Sequence, residues 1–357
     1  MPEYVAFDSH KHYTWVEHWE ANTGELRQYR LEHEPGAIQR ALGKCDPGTA
    51  VAVEATANWY WITDEIERAG CVPRLVHPRK AKMMMGQINK TDKLDTHGLN
   101  TLQRNGTLPT VWIPPGKLRE LRELTRTRVV LVAQRTRWKN RITATLAKWG
   151  LPASEYSDPY GKKAREELEQ RLERLPEQTR WVTRQMLAQL DGLNAQVKTF
   201  EKRLEELVQV TPGMQLLETL PGIAVILSAT IELEVGDIGR FGNAEKLAAY
   251  SGTVPRVHSS GGHTRYGRTR PDVNRYLKWA FAEAANSIAV HQRQHPDWHV
   301  SQLYVRLRAR KGHSKAVGAV ARHLAEAAFH VLSHQRAYRD PAYKVGRSNG
   351  GVSANVS

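Results

Sequence analysis

Four carboxylates near the start of the chain, Asp8, Glu54, Asp92 and Asp95, have types and spacings that could do phosphodiester chemistry. Asp8 closes the apolar run Tyr4-Val5-Ala6-Phe7, and Glu54 closes Ala50-Val51-Ala52-Val53. Continuous apolar runs of this length read as strands buried on both faces. Asp92 and Asp95 lie three apart at the expected start of a helix, a spacing that puts both on one helical face. If the two strands are neighbours and the helix crosses their ends, four acids converge. Like charges repel strongly in a low-dielectric site, and a divalent cation relieves that repulsion. Hard oxygen ligands suit Mg²⁺ or Mn²⁺. Two such ions about 4 Å apart activate an attacking oxygen and stabilise a leaving one. Singly, each acid has a plainer reading, because strand-end Asp is common and acids in a first turn favour the helix dipole. Their conjunction is what points to chemistry. Ser9, His10, Lys11 and His12 follow Asp8 directly and are placed to touch phosphate.

A second stretch runs Val254-Pro255-Arg256-Val257-His258-Ser259-Ser260-Gly261-Gly262-His263-Thr264-Arg265-Tyr266-Gly267-Arg268. Its glycines allow close backbone approach to a ligand. Arg256, Arg265 and Arg268 can neutralise phosphates, and a serine among them, Ser259 or Ser260, can attack phosphorus. Ser-Ser-Gly-Gly is equally an ordinary flexible loop.

The elements that must position these groups follow from pattern. Strands are expected over Tyr4–Asp8, His12–His18, Leu26–Leu31, Ala50–Glu54 and Cys71–Val76. Helices are expected over Pro35–Leu42, Trp59–Ala69, Pro78–Met85 and Asp92–Gln103. This β-β-β-α-β-α-β order is that of an RNase H-like α/β domain. Lys117–Trp149 reads as one long helix, rich in cations that include Arg135, Arg137 and Arg141. A second long helix carries Leu187, Leu190, Leu193, Val197, Phe200, Leu204 and Leu207, spaced as a coiled-coil seam. The pair reads as a stalk whose seam closes within one chain or between chains. Beyond it an all-helical domain is expected: Leu220-Pro221-Gly222-Ile223 as a helix-hairpin-helix joint, then helices over Phe241–Tyr250, Arg270–His291, Trp298–Arg310 and Ser314–His334. The resulting division is 1–112, 113–212 and 213–340, with a flexible tail over 341–357.

Charge narrows the partners. In 357 residues, 52 Lys and Arg oppose 37 Asp and Glu, a net +15. Such a balance points to a polyanion. Over residues 1–75 the sign reverses, with twelve acidic side chains against seven basic ones. A basic body can hold nucleic acid while an acidic head supplies carboxylates. Met1–Asp8 lacks the pattern of a secretory signal. The longest uncharged apolar run, Gly222–Ile231, is too short to span a bilayer. The two cysteines, Cys45 and Cys71, show no metal-type spacing, and they read as reduced, buried thiols, not as a disulfide scaffold or a zinc site. A cytoplasmic, nucleoid-associated protein without a membrane partner is expected.

Together these stretches resemble the DEDD transposases of bacterial insertion-sequence family one-ten, the bridge-RNA-guided recombinases. The likeness is carried by Val5-Ala6-Phe7-Asp8-Ser9-His10-Lys11, Val53-Glu54-Ala55-Thr56, Lys90-Thr91-Asp92-Lys93-Leu94-Asp95, Leu217-Glu218-Thr219-Leu220-Pro221-Gly222-Ile223, Lys246-Leu247-Ala248-Ala249-Tyr250-Ser251-Gly252, Val254-Pro255-Arg256 and Ser259-Ser260-Gly261-Gly262. It implies a RuvC-like domain with Asp8, Glu54, Asp92 and Asp95 as metal ligands. It also implies a C-terminal transposase domain whose essential serine is Ser260, with Ser259 as the alternative. By the same resemblance, serine attack on DNA leaves a 5′-phosphoserine link and a free 3′-OH. Strand exchange then joins donor and target DNA, both paired to a structured non-coding RNA. The working assembly is a dimer that builds a tetramer, its composite site shared between protomers. Arg270-Pro271-Asp272 departs from many relatives, so no role passes to Arg270 or Asp272.

Two other readings remain at this level: a Holliday-junction nuclease that uses water as its nucleophile, and a non-catalytic nucleic-acid scaffold.

Overall fold

The computed structural model describes residues 3–86, 91–151 and 154–341. The chain divides into two compact units, Met1–Pro114 and Pro115–Ser357. Of the expected tail over 341–357, all but Pro341 lies outside the described residues, as does Lys90.

The first unit runs β1 (Glu3–Ser9), β2 (Tyr13–Glu20), β3 (Leu26–Glu32), α1 (Ala37–Leu42), β4 (Ala50–Glu54), α2 (Trp59–Arg68), β5 (Val72–Val76), α3 (Pro78–Met85) and α4 (Asp92–Arg104). The strands form one mixed sheet in the order β3-β2-β1-β4-β5. β2 is antiparallel to β1 and β3, whereas β4 is parallel to β1 and β5. β1 and β4 lie in the middle, which explains their continuous apolar sequences. Strand alternation then sorts their side chains. Val5, Phe7, Val51 and Val53 face one side and pack with Ile38, Leu42, Ile62 and Ile66. Ala6 and Ala52 face the other side and pack with Ala81, Leu99 and Leu102. These small residues let α4 lie close, and Gln103 Nε2 donates to the carbonyls of Val5 and Ala50, each at 3.2 Å.

The second unit holds α5 (Gly116–Lys148), α6 (Arg165–Glu173), α7 (Glu177–Leu207), α8 (Pro212–Glu218), α9 (Val225–Val235), α10 (Ala244–Tyr250), β6 (Pro255–Ser260), β7 (His263–Thr269), α11 (Arg275–His291), α12 (His299–Lys311) and α13 (His313–His334). α5 and α7 pack antiparallel within the chain. Ile142 and Leu146 of α5 cluster with Met186, Leu187 and Leu190 of α7, while nearer the other end Arg128 bonds Glu201. α6, unread from sequence, adds Leu168 and Leu172 to that cluster. The C-terminal core combines alanines of α11 and α13, including Ala280, Ala284, Ala321, Ala325 and Ala328, with larger residues such as Leu217, Leu277, Phe281 and Leu324. Gly222, at φ +76, lies so close to α11 that a Cβ would come within 2.5 Å of the Ala284 carbonyl. No other residue fits there without moving backbone.

One expectation needs correction. The C-terminal part is not all-helical, because Val254–Arg268, read as a flexible loop, folds mainly as the β6–β7 hairpin. Gly261 and Gly262 form its two-residue turn, both with positive φ (+56 and +78). That is the requirement of a type I′ turn, whose twist matches that of the flanking strands. The helix expected over Arg270–His291 also begins later, at Arg275. Asn274 caps it, its Oδ1 accepting from the amides of Tyr276 and Leu277.

Candidate functional site

Strand parity sets the acidic site. Ala6 pairs with Ala52 in the parallel register, so the next same-face positions along each strand are Asp8 and Glu54. Both therefore lie on the face that α4 covers. Thr91 caps α4 by accepting from the Leu94 amide, which fixes where Asp92 and Asp95 enter its first turn.

Asp8 is 8% exposed. Nε2 of His10 lies 3.3 Å from Oδ2 of Asp8 and 3.3 Å from Oδ2 of Asp92. That nitrogen is shut off from solvent and out of hydrogen-bond geometry with either acid. Ligand atoms of Asp8, His10 and Asp92 all lie within 4.8 Å of one another. Glu54 and Asp95 do not join this set among the described residues. Glu54 ends the adjacent strand, and Asp95 sits one turn further along α4. The Tyr13 hydroxyl donates to Asp92 Oδ2 at 2.9 Å, and that bond is the main cause holding its acidity below that of an ordinary tyrosine. Arg30 covers the Tyr13 ring at 3.9 Å. Asn58 Nδ2 donates to the His10 carbonyl at 2.8 Å, tying the turn after β1 to the turn after β4. Lys11 is exposed on the same turn.

A buried imidazole nitrogen set between two carboxylate oxygens without a hydrogen bond is the arrangement a divalent cation would satisfy. The residues present therefore fit a metal, and His10 is the member the sequence reading gave only to phosphate. Its place two residues beyond a strand-end Asp was the available signal. Tyr13 carried none, because its partner lies on α4.

The serine hairpin has two distinct faces. Its register pairs Val257 with Tyr266, His258 with Arg265, Ser259 with Thr264 and Ser260 with His263. Ser260 thus shares a face with His258, His263 and Arg265. Ser259 shares the other with Val257, Thr264 and Tyr266, and its Oγ lies 3.4 Å from Thr264 Oγ1. All of these residues are exposed, as is Arg268, whereas Arg256 at the base is half-buried.

A charged network invisible in the sequence holds the hairpin's root. Glu234 is fully buried. Arg126 meets its carboxylate with two bonds, of 2.6 and 2.9 Å, and Asn274 Nδ2 donates to it at 2.7 Å. Arg122 donates to the carbonyls of Leu233 and Glu234 at the end of α9. The Asn274 amide donates to the Tyr250 carbonyl, so the two ends of the segment bearing β6 and β7 are pinned together. Arg270, which carries no expected role, pairs with Asp272.

On α5, Arg137 and Arg141 are exposed and Arg135 half-buried. No helix among the described residues is long and apolar enough to cross a membrane.

Comparison with known proteins gives the family. A model of DEDD transposases of the IS110 type, described as "Transposase", matches residues 5–149. A second, described as "Transposase IS116/IS110/IS902 family", matches residues 214–300. A probable family 20 transposase of Pseudomonas aeruginosa is 26% identical over 250 residues, covering 68% of this chain and 72% of that protein. The transposase for insertion sequence element IS1111A of Coxiella burnetii is 22% identical over 271 residues, covering 76% and 74%. The transposase for IS1328 of Yersinia enterocolitica is 26% identical over 233 residues, covering 63% and 66%. Carboxylate head and serine hairpin thus both fall within matched stretches, and the chain belongs to the IS110 family of DEDD transposases, enzymes that act on DNA.

Proposed function

We propose that this transposase cuts and rejoins DNA strands with Ser260 as nucleophile, in a site completed by Asp8, Glu54, Asp92 and Asp95. The observation that carries the reading is the approach of Asp8 and Asp92 to one imidazole nitrogen of His10, 3.3 Å from each. Asp8, His10 and Asp92 would hold a divalent ion, and Glu54 and Asp95 border a place for a second. Mg²⁺ or Mn²⁺ bound there supplies Lewis-acid stabilisation of charge on the phosphate oxygens.

Ser260 Oγ attacks the phosphorus. The P–O3′ bond breaks, leaving a 5′-phosphoserine and a free 3′-OH. Ser260, not Ser259, takes this role because its face also carries His258, His263 and Arg265. The serine proton passes to one of these imidazoles, which gives it up to the leaving O3′, and Arg265 offsets phosphate charge. In the rejoining step a 3′-OH attacks the phosphoserine, and Ser260 takes its proton back. Lys11, Arg256 and Arg268 grip backbone phosphates around the cut, and Arg135, Arg137 and Arg141 extend that grip along α5.

Following the family resemblance, a structured bridge RNA pairs with donor and target DNA and supplies sequence readout. The protein then needs only charge-based contact with backbones. A dimer building to a tetramer lets the carboxylate domain of one protomer meet the hairpin of another. The helix-hairpin-helix reading of the α8–α9 turn and a coiled-coil reading of α5 and α7 belong to this picture. So does a working division into 1–112, 113–212 and 213–340, in a cytoplasmic, nucleoid-associated enzyme.

The test is a trapped adduct. Wild type incubated with labelled element-end DNA and its flanking RNA is expected to leave a protein–DNA covalent species that Ser260→Ala abolishes and Ser259→Ala retains. Strand cleavage without any adduct would replace the serine by water and end this reading.

A further inference from the structure

The acids occupy one end of the N-terminal sheet. At its opposite end and on its opposite face, four side chains of another chemical kind meet. Glu3 opens β1, and His18 lies directly across from Val5 on β2. Alternation puts both on the face packed by α1 and α2. Cys45, which follows α1, and Cys71, which precedes β5, belong to the core on that same face.

Nε2 of His18 lies 3.5 Å from Oε2 of Glu3, with the side chains only 12% and 14% exposed. Both atoms are shut off from solvent, and neither has a hydrogen-bond partner among the described residues. Ligand atoms of Glu3, His18 and Cys45 lie within 4.8 Å of one another. Cys71 belongs to the same buried cluster, against which Cys45 packs. Two buried polar atoms facing each other unsatisfied call for an explanation. Two thiols, an imidazole and a carboxylate are a donor set for zinc. Zn–N and Zn–O bonds near 2.0–2.2 Å set tetrahedral ligand edges of about 3.3–3.6 Å. The Glu3–His18 separation of 3.5 Å already falls in that range.

We propose that Glu3, His18, Cys45 and Cys71 form a structural zinc site in the N-terminal unit. Four protein donors close the coordination sphere, leaving no position for substrate. The site fastens the starts of β1 and β5, the end of β2 and the loop before β4. Each thiol loses its proton as its sulfur–zinc bond forms, so binding one ion releases about two protons to solvent. Sulfur donors also separate this site from the acidic one, because thiolates favour zinc whereas carboxylates favour magnesium. The sequence hides the set, since Cys45 and Cys71 lack the close pairing of common zinc motifs. The inference stands whatever nucleophile the enzyme uses.

Cobalt is the probe, since only a sulfur ligand gives it a near-ultraviolet thiolate charge-transfer band. Co²⁺ titrated into the full-length, reduced chain is expected to raise that band to about one equivalent, and Zn²⁺ to bleach it. An Asp8→Asn/Asp92→Asn chain keeps the band, which places it away from the acidic site. Cys45→Ser and His18→Ala each weaken cobalt binding at least about tenfold. Absence of the band in wild type, or a band whose strength and affinity His18→Ala leaves unchanged, would overturn the site. The wild-type titration decides even if a variant folds poorly.

Discussion

The Tyr13 hydroxyl donates to Oδ2 of Asp92 at 2.9 Å, joining the first residue of β2 to the first residue of α4. The same carboxylate oxygen lies 3.3 Å from His10 Nε2. Tyr13 therefore orients a carboxylate of the proposed cation site. Such outer partners commonly govern metal affinity by ten- to a hundredfold. Tyr13→Phe is expected to raise the Mn²⁺ concentration giving half-maximal strand cleavage by about tenfold, with the maximal rate at saturating metal largely restored. A metal titration of cleavage checks this; an unchanged half-maximal concentration would remove Tyr13 from the site.

Glu234 is fully buried, with Arg126 and Asn274 on its carboxylate and Arg122 on the neighbouring carbonyls. Removing one partner of a buried ion pair leaves the other charge uncompensated and costs about 3–5 kcal/mol. Glu234→Ala should therefore destabilise the C-terminal unit by that order. Arg126→Ala should cost less, because its side chain keeps 24% exposure and the residual Glu234 charge retains the Asn274 bond. Denaturant unfolding followed by tryptophan fluorescence gives both numbers.

Glu232 is a pH-sensitive element of the same helix. Burial raises its carboxyl above the ordinary value of 4.5, opposed only by the hydrogen bond from Thr211. Its Oε2 has no hydrogen-bond partner among the described residues. The folded chain thus keeps this proton to higher pH than the unfolded chain does. Stability from this group is full below the unfolded value and falls as pH rises through the folded one. Glu232→Gln, which can still accept from Thr211, should flatten that fall. It should raise the melting temperature at pH 7 and leave it nearly unchanged at pH 4. Thermal melts across this range are the check.

The cations of α5 make an electrostatic prediction. Each phosphate contact removed from a nucleic-acid complex lowers the slope of log affinity against log salt by about 0.7–0.9. The Arg135→Ala/Arg137→Ala/Arg141→Ala triple variant should show a visibly shallower slope for DNA or RNA, with fold and metal affinity kept. A slope equal to wild type would place the nucleic acid elsewhere on the basic surface.

Local pattern made some of this legible and hid the rest. β1 and β4 could be read because central strands are apolar throughout, and the acids closing them stood out for that reason. Parity along those strands then placed Asp8 and Glu54 on one face. The β6–β7 hairpin could not be read the same way. Nearly all its side chains are exposed, so no buried stripe marks the strands and arginine, serine and histidine fill both faces. Gly261-Gly262 is the one turn signal present, and a glycine pair fits a flexible loop as well as a tight turn. The Glu234 network, the Tyr13–Asp92 bond and the cluster around Cys45 join residues remote in sequence, so only the folded chain reveals them.

The central claim is that the carboxylates serve strand cleavage and not merely the fold. Asp8→Asn and Asp92→Asn, each near-isosteric, should be assayed for DNA affinity and for cleavage in parallel. The account predicts that affinity and melting temperature stay close to wild type while cleavage falls by at least about a thousandfold, roughly 4 kcal/mol of barrier. Cleavage that persists at wild-type rates in both variants would contradict it.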